Sequence, residues 1–203
     1  MSASNVTAIV LAAGHARRMG DIHKLVALVQ DKPVIRYTVE NILHAHVGHV
    51  MVITGDNAGR IEAALQGLPV SFLNNGDHEC GIASSLVCGV SALNAATDAA
   101  VVCLGDMPLV RPRVIERLIA AFDSGDHNAI CVPTYQSVQG NPILWANSFF
   151  SDLQKLQGDQ GAKKLLSTYA PSVLRIDMPD EPGIVFDIDT PADLIQFDAI
   201  LSA

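Results

Sequence analysis

Residues suited to phosphate and metal chemistry follow apolar runs at three places in this 203-residue chain. In the segment IVLAAGHARRMG, an apolar run ends in small residues and Gly14, and Lys24 follows shortly after the segment. Asp106 lies in CLGDMPLV, and Asp187 and Asp189 lie in FDIDTP. Cationic side chains bind phosphate oxygens, and carboxylates bind hard metal ions. The pattern therefore indicates chemistry on a phosphorylated ligand.

The loop around Gly14 fits neither of the two common glycine-rich motifs. Backbone N–H groups in a turn of small residues can hold anions. The P-loop requires a lysine directly after its second glycine, which is absent here, and the dinucleotide fingerprint requires glycine where this chain has Ala16. The small residues would let a flat base approach the backbone, and Arg18 and Lys24 would meet phosphate oxygens. A tight turn with solvated arginines is the alternative.

Two acidic motifs lie far apart in the chain. Asp106 comes just after a buried run, where an unpaired carboxylate is costly and a metal-bound one is not. Asp187 and Asp189 are two residues apart, so an extended chain would put them on one face. We assign Mg²⁺ to Asp106 and Asp189, with Asp187 as second choice. Capping of the next turn or helix is the alternative role for Asp106 and Asp189.

Strand and helix patterns alternate over the first 125 residues. Four strand–helix units in succession predict a parallel sheet with helices on both faces. The predicted strands are 6–12, 49–54, 69–73 and 99–105, and the predicted helices are 33–45, 58–67, 84–93 and 112–122. Ligands of such sheets bind beyond the carboxyl ends of the strands, and the strongest polar signals follow the first and the fourth of these strands.

The pattern is less regular after about residue 125. Strands are predicted near 129–133, 142–146 and 172–177, and helices at 147–156, 160–169 and 190–201. Glycines and prolines between 134 and 142 indicate an inserted lobe. Because the chain shows no linker and is short for two cores, we predict a single domain over residues 1–203.

The composition excludes several classes of partner. The chain has 13 Lys and Arg against 21 Asp and Glu, a net charge of −8, which argues against nucleic acid or an anionic membrane surface. No apolar run approaches the roughly 20 residues of a membrane span, and the N-terminus lacks a secretion-signal pattern, so we expect a cytoplasmic protein. The four cysteines are expected to be neither disulfides nor metal ligands. The HAHVGH histidines lack helix-face spacing, and we expect them at a helix C-terminus.

The motif LAAGxxxRMGxxxKL resembles the nucleotide loop of MobA-like NTP transferases, and it is most similar to the molybdenum cofactor cytidylyltransferase branch. The resemblance implies that Arg18 and Lys24 stabilise charge at the α-phosphate as pyrophosphate leaves. GDMP and DIDTP resemble the acidic metal motifs of this superfamily. GxxSSLxxG resembles its base-binding segment, which implies base contacts from Gly81 and Ser85; a helix cap is the alternative role for Ser85.

Two further segments resemble the molybdopterin cytidylyltransferase branch. QGNPILW and GDQGAKKLL imply acceptor contacts from Asn141 and Asp159, although a helix start is the alternative role for Asp159. Gln139 and Lys163 stand where that branch usually has arginine. The form LAAG, in place of LAGG, favours CTP over GTP.

Taken together, the resemblance implies a Rossmann-like three-layer α/β/α sandwich of the nucleotide-diphospho-sugar transferase type, mostly parallel with an antiparallel strand in the C-terminal part. It implies Mg²⁺-dependent transfer of NMP, with CMP favoured, from an NTP to a phosphorylated acceptor such as molybdopterin, and a molybdoenzyme as a further partner. A sugar phosphate or other metabolite phosphate is the alternative acceptor. A non-catalytic carrier of nucleotide or cofactor is the alternative function. The predicted nucleotide-binding residues are Leu11, Ala12, Ala13, Gly14, Arg18, Lys24, Gly81, Ser85 and Asp106.

Overall fold

The computed structural model of the chain describes residues 4–14, 23–125, 127–158 and 162–202, with the side chain of Lys163 left out. Arg18 and Asp159, two of the predicted site residues, lie outside the described residues. The described strands are β1 (Val6–Leu11), β2 (Leu28–Val29), β3 (Lys32–Pro33), β4 (His49–Thr54), β5 (Ser71–Asn74), β6 (Ala99–Leu104), β7 (Ile130–Tyr135), β8 (Val138–Gln139), β9 (Ile143–Ala146) and β10 (Val173–Asp177). The described α-helices are α1 (Val34–His44), α2 (Ala58–Ala64), α3 (Ile82–Ser91), α4 (Pro112–Ser124), α5 (Phe150–Leu153), α6 (Lys163–Thr168) and α7 (Pro191–Leu201).

The strands form one mixed sheet in the order β10–β7–β9–β6–β1–β4–β5, with β8 paired to β7. The block β6–β1–β4–β5 is parallel, and β10 is parallel to β7. β9 runs antiparallel to both β6 and β7. Helices flank the sheet, which confirms the predicted α/β class, including the antiparallel strand in the C-terminal part. β1 lies between two parallel neighbours, and its nearly continuous apolar sequence is typical of a strand buried on both faces.

The segment predicted as an inserted lobe, residues 134–142, is instead a hairpin of the main sheet. β7 extends to Tyr135, and β8 pairs back onto it after Gln136 and Ser137. Those two residues have φ of 49° and 67°, as required at the two central positions of the tight turn that suits a twisted hairpin. The backbone N–H of Gly140 then donates to the Pro133 carbonyl at 2.9 Å. The prediction of a lobe was therefore wrong, because turn-forming residues also occur in hairpins.

Smaller differences concern helix length and the histidine and cysteine side chains. The predicted helix 147–156 is a 3₁₀ turn followed by the four residues of α5. Of the three HAHVGH histidines expected at a helix C-terminus, His44 is the last residue of α1 and His46 follows shortly after it, but His49 is the first residue of β4. All four cysteines are free thiols, and Cys103 and Cys131 are buried. In the part of the chain that is described, no helix is both long enough and apolar enough to cross a membrane.

Helix α3 packs closely on β1 and β4 through a glycine. A Cβ atom at Gly89 would lie 2.6 Å from Cγ2 of Ile9 and 3.2 Å from Cδ1 of Ile53, both in the core. Gly59 in α2 is also helical, but a Cβ there would meet no heavy atom within 4 Å. The two glycines therefore differ in packing, although both lie in helices.

We expect Gly89→Ala to lower the free energy of unfolding by roughly 1–3 kcal/mol, because the added methyl overpacks the α3–sheet contact. The matched change Gly59→Ala should raise it by about 0.5–1 kcal/mol, because it removes backbone freedom from the unfolded chain without a clash. Urea unfolding followed by circular dichroism measures both. Equal effects of the two substitutions would contradict the close packing of α3.

A second apolar cluster joins the β2–β3 hairpin to the C-terminal helix. Val29 and Val34 pack with Ile188 and Phe197, and the Tyr37 ring meets the Phe197 ring edge-on at 5.1 Å. This cluster therefore brings together two segments distant in sequence: the one that contains Lys24 and the one that contains Asp189.

Candidate active site

The structure brings Lys24, Asp106 and Asp189 into direct contact at the carboxyl edge of the sheet. The Lys24 ammonium lies 2.5 Å from Oδ2 of Asp106 and 2.7 Å from Oδ1 of Asp189. Asp187 joins them: one carboxylate oxygen from each of the three aspartates lies within 4.8 Å of those of the other two. Residues 165 positions apart in the chain therefore form one charged centre.

Backbone and side-chain hydrogen bonds fix the position of Asp106 after β6. The Ile188 N–H donates to the Asp106 carbonyl at 3.0 Å, which ties the two acidic motifs together through the main chain. From α1, the Thr38 hydroxyl donates to the Gly105 carbonyl at 3.0 Å, and the Asn41 amide donates to the Pro108 carbonyl at 3.1 Å. The loop that contains Asp106 is thus held on both sides, and its carboxylate is pre-oriented.

The residue that caps helix α7 is Thr190, not Asp189. Thr190 is the N-cap of α7 and forms a capping box with Asp193, whose carboxylate also accepts the backbone N–H of Asp189 at 3.0 Å. The helix start is therefore satisfied without the Asp189 side chain, which contacts Lys24 instead. The Asp106 side chain likewise contacts Lys24 rather than a backbone N–H of the described residues.

Electrostatic interactions keep Lys24 charged. Burial opposes the ammonium, but the adjacent carboxylates of Asp106 and Asp189 outweigh it and hold the pKa of Lys24 above its usual value. The pKa of Asp187 is also raised, first by burial and then by the negative charges of Asp106 and Asp189. Among the described residues, the centre therefore contains three carboxylates and one ammonium.

The donor set of this centre fits a hard divalent cation. Among the described residues, Oδ1 of Asp106 is buried and has no hydrogen-bond partner, which is costly for a carboxylate oxygen unless a cation is nearby. The three aspartates are the only group of at least three potential ligands that the described residues bring this close together. Oxygen ligands from one or two carboxylates suit Mg²⁺, which retains waters and shares substrate phosphates.

A cleft of about 750 Å³ opens beside this centre, over the ends of β1 and β6. Seven of the predicted nucleotide-binding residues line it: Leu11, Ala13, Gly14, Lys24, Gly81, Ser85 and Asp106. Ala12 does not line the cleft. It is only 2% exposed, and its N–H donates to the Ile53 carbonyl at 2.9 Å. Residue 12 belongs to the core because adjacent residues of an extended chain point to opposite sides.

Two polar residues that sequence reasoning missed shape one wall of this cleft. The amide of the buried Asn75 donates to the hydroxyls of Ser84 at 2.8 Å and Ser85 at 3.1 Å. His78 lines the cleft, with Nδ1 3.0 Å from the Asn75 carbonyl and Nε2 3.0 Å from Oδ1 of Asp56. The contact with the Asn75 carbonyl, followed by Asp56, raises the pKa of His78 despite opposing burial. Their position just after β5, at the same sheet edge, is the signal that could have identified them.

A second cleft of about 970 Å³ adjoins the first, and the two share Leu11, Ile82 and Leu104 as lining residues. Asp187 and Asn141 line this second cleft. The Asn141 N–H donates to the Ile184 carbonyl at 2.9 Å, so the hairpin is tied to the segment before α7. The charged centre therefore lies where two clefts meet, with Asp106 facing one and Asp187 the other.

The wall formed by residues 178–185 is anchored to α4 by an ion-pair cluster. Glu181 is buried and pairs with Arg113, which also contacts Asp180. Arg117 donates to the Asp177 carbonyl at 2.8 Å. Because a buried carboxylate is stable only when paired, this cluster fixes the loop that closes the second cleft.

Comparison with known proteins identifies the family. Residues 8–173 match the model of the MobA-like NTP transferase domain. The chain belongs to this family. The match confirms the resemblance of the motifs to MobA-like NTP transferases, and it includes the end of β1, Asp106 and the α3 segment.

Two curated proteins are similar to part of this chain. A probable molybdenum cofactor guanylyltransferase of Natronomonas pharaonis is 35% identical over 121 residues, which is 59% of this chain and 58% of that protein. A bifunctional protein GlmU of Zymomonas mobilis is 28% identical over 133 residues, 64% of this chain. The chain spans only 29% of the length of that GlmU.

A solved structure of Rv0371c from Mycobacterium tuberculosis, in complex with manganese, shares the fold over nearly the whole chain. It is 25% identical, has a TM-score of 0.79, and the alignment covers 97% of this chain and 99% of that one. The similarity therefore extends beyond residue 173 to the acidic motif that precedes α7.

Proposed function

We propose that this chain is a divalent-metal-dependent nucleotidyltransferase. It transfers NMP, with CMP favoured, from an NTP to a phosphorylated acceptor, molybdopterin being the first candidate, and releases pyrophosphate. The observation that carries the proposal is the contact of Lys24 with both Asp106 and Asp189 at the junction of two clefts. Family membership and the manganese complex of a similar protein support it.

In the proposed reaction, an acceptor phosphate oxygen forms a bond to the α-phosphorus of the NTP. The bond from that phosphorus to the oxygen that bridges to the β-phosphate breaks, and its electron pair leaves with pyrophosphate. Negative charge grows on the α-phosphoryl oxygens and on the leaving group, so preorganised positive charge stabilises the transition state. Mg²⁺ held by Asp106 and Asp189, with Asp187 beside them, would neutralise phosphate charge.

The residues of the chain supply positioning and charge. The Lys24 ammonium, kept protonated by its carboxylate neighbours, is available to phosphate oxygens without a proton transfer. The cleft that contains Gly14, Gly81 and Ser85 would hold the nucleotide, and the cleft that contains Asn141 would hold the acceptor. Held in this way, the acceptor phosphate would face the α-phosphorus across Lys24 and the aspartates. The preference for CTP rests on the LAAG form of the loop.

A screen of pyrophosphate release tests the proposal. The chain is incubated with Mg²⁺, with each of the four NTPs and with molybdopterin, and the nucleotidylated product is identified by mass spectrometry. We expect release to be fastest with CTP and to depend on the acceptor. Tight CTP binding by calorimetry without pyrophosphate release from any acceptor would instead indicate the non-catalytic carrier.

A further inference from the structure

A network of hydrogen bonds, which we call the Asn75 relay, connects the loop after β5 to the first turn of α3. Its central residue, Asn75, is buried. The side-chain oxygen Oδ1 of Asn75 accepts the backbone N–H of Asp77 at 3.0 Å. The amide nitrogen Nδ2 donates to the hydroxyl of Ser84 at 2.8 Å and to that of Ser85 at 3.1 Å. One buried amide therefore contacts two adjacent serines.

The chemistry of these partners fixes the orientation of the Asn75 amide. A backbone N–H can only donate, so the atom beside the Asp77 N–H is the amide oxygen, and the two serine hydroxyls meet the amide nitrogen. The reverse orientation would place two donor groups 3.0 Å apart. Each of the two amide hydrogens is then donated to one serine, so both serine oxygens act as acceptors toward Asn75.

The two serines differ in where their own hydroxyl protons go. The Ser84 hydroxyl donates to the Gly81 carbonyl at 2.8 Å, so its proton is used within the protein. The Ser85 hydroxyl accepts from Asn75 and donates to no group of the described residues. Ser85 lines the first cleft, beside the charged centre, whereas Ser84 lines a different cavity. The proton of Ser85 is therefore available to a ligand in the first cleft.

We propose that Asn75 determines base specificity by making the Ser85 hydroxyl a hydrogen-bond donor to the base. This inference rests on the proposed function, which places the NTP in the first cleft with its phosphates at Lys24. Cytosine has an acceptor nitrogen at N3 and an amino group at C4, whereas uracil has an N–H and a carbonyl there. A hydroxyl that donates can therefore favour cytosine over uracil only at N3. The Ser85 hydroxyl donates to this atom, and Asn75 is a positioning residue that acts through Ser85.

Replacing Asn75 with aspartate reverses the polarity of the Asn75 relay with almost no change in shape. One carboxylate oxygen still accepts the Asp77 N–H, but the other can only accept, so the Ser85 hydroxyl must donate to it and presents a lone pair to the base. We expect the original chain to bind CTP at least about tenfold more tightly than UTP. The Asn75→Asp variant should lose this preference through weaker binding of CTP and tighter binding of UTP, a gain that damage to the fold does not produce. Calorimetric titration with each of the four NTPs and Mg²⁺, without an acceptor, measures these affinities.

The adjacent serines provide a matched pair of variants. Ser85→Ala removes the donor that faces the first cleft, and the affinities for CTP and UTP should become equal within about twofold. Ser84→Ala removes a hydroxyl from the same amide but from the other cavity, and it should keep the preference for CTP. This pair decides the question even if the Asn75→Asp variant does not fold. An unchanged CTP preference in Ser85→Ala, or an equal loss of preference in Ser84→Ala, would overturn the inference.

The remaining outcomes separate this inference from the proposed function. A CTP preference that Asn75→Asp abolishes, without pyrophosphate release from any acceptor, would support the Asn75 relay and reject the transferase activity. Pyrophosphate release with the same CTP preference in Asn75→Asp as in the original chain would support the transferase and reject the relay. Tighter binding of another NTP than CTP by the original chain would overturn the contact with N3, whereas pyrophosphate release from that NTP would still support the transferase.

Discussion

Replacing Asp106 with asparagine is expected to lower the turnover number at least about a hundredfold. The substitution keeps the size of the side chain but removes the charge next to Lys24 and one of the proposed metal ligands. The Asp106 carboxylate has one oxygen on Lys24 and another that is buried without a partner among the described residues, so both are placed for cations. Turnover is measured by pyrophosphate release over a range of Mg²⁺ concentrations, and folding is checked by thermal unfolding.

The control for this prediction is Asp31→Asn. Asp31 is an exposed residue of the β2–β3 turn with φ of 62°, a conformation that asparagine adopts readily. This change also removes one negative charge, but away from the charged centre, and should leave turnover within about twofold of the original. Near-normal turnover of the Asp106→Asn variant, with activity still abolished by a chelator, would end the assignment of Asp106 to the metal.

The sheet and most of the charged centre could be predicted from local sequence patterns. The β-branched runs predicted the parallel strands. Because strand ends in such a sheet meet at one edge, Lys24 and Asp106 were expected to lie together. The contact of Asp189 with Lys24 could not be predicted from local patterns, because 165 positions separate the two residues. The packing of α7 against the β2–β3 hairpin brings these two residues together.

Features that depend on long-range contacts were not predictable in this way. Asn75 and His78 follow β5 at the sheet edge where ligands bind, which marks them as candidates in the sequence, but their contacts with Ser84 and Asp56 depend on the fold. Ala12 belongs to a motif associated with nucleotide binding, but the pleat of the chain turns it into the core. The residues that line the second cleft come from several segments, so no single motif encodes it.

Replacing Lys24 with methionine is the second change expected to have a large effect. We expect turnover to fall at least about a hundredfold, because the variant keeps an unbranched side chain but loses the positive charge proposed to stabilise the transition state. The same change leaves Asp106, Asp187 and Asp189 close together without their ammonium partner. Their mutual repulsion should lower stability when no metal is present, and a divalent cation should relieve it.

This double consequence distinguishes a role in the site from a purely structural one. If Lys24 and Mg²⁺ share the same carboxylates, Mg²⁺ should raise the melting temperature of the Lys24→Met variant more than that of the original chain. The control is Lys155→Met, because Lys155 forms an exposed ion pair with Asp152 and should affect neither turnover nor the Mg²⁺ response. Loss of activity with an unchanged Mg²⁺ response would contradict the shared carboxylates, and normal turnover would contradict the proposed role of Lys24. Since the pKa of Lys24 is raised, its ammonium persists through the neutral range, and the rate should not fall there through loss of its proton.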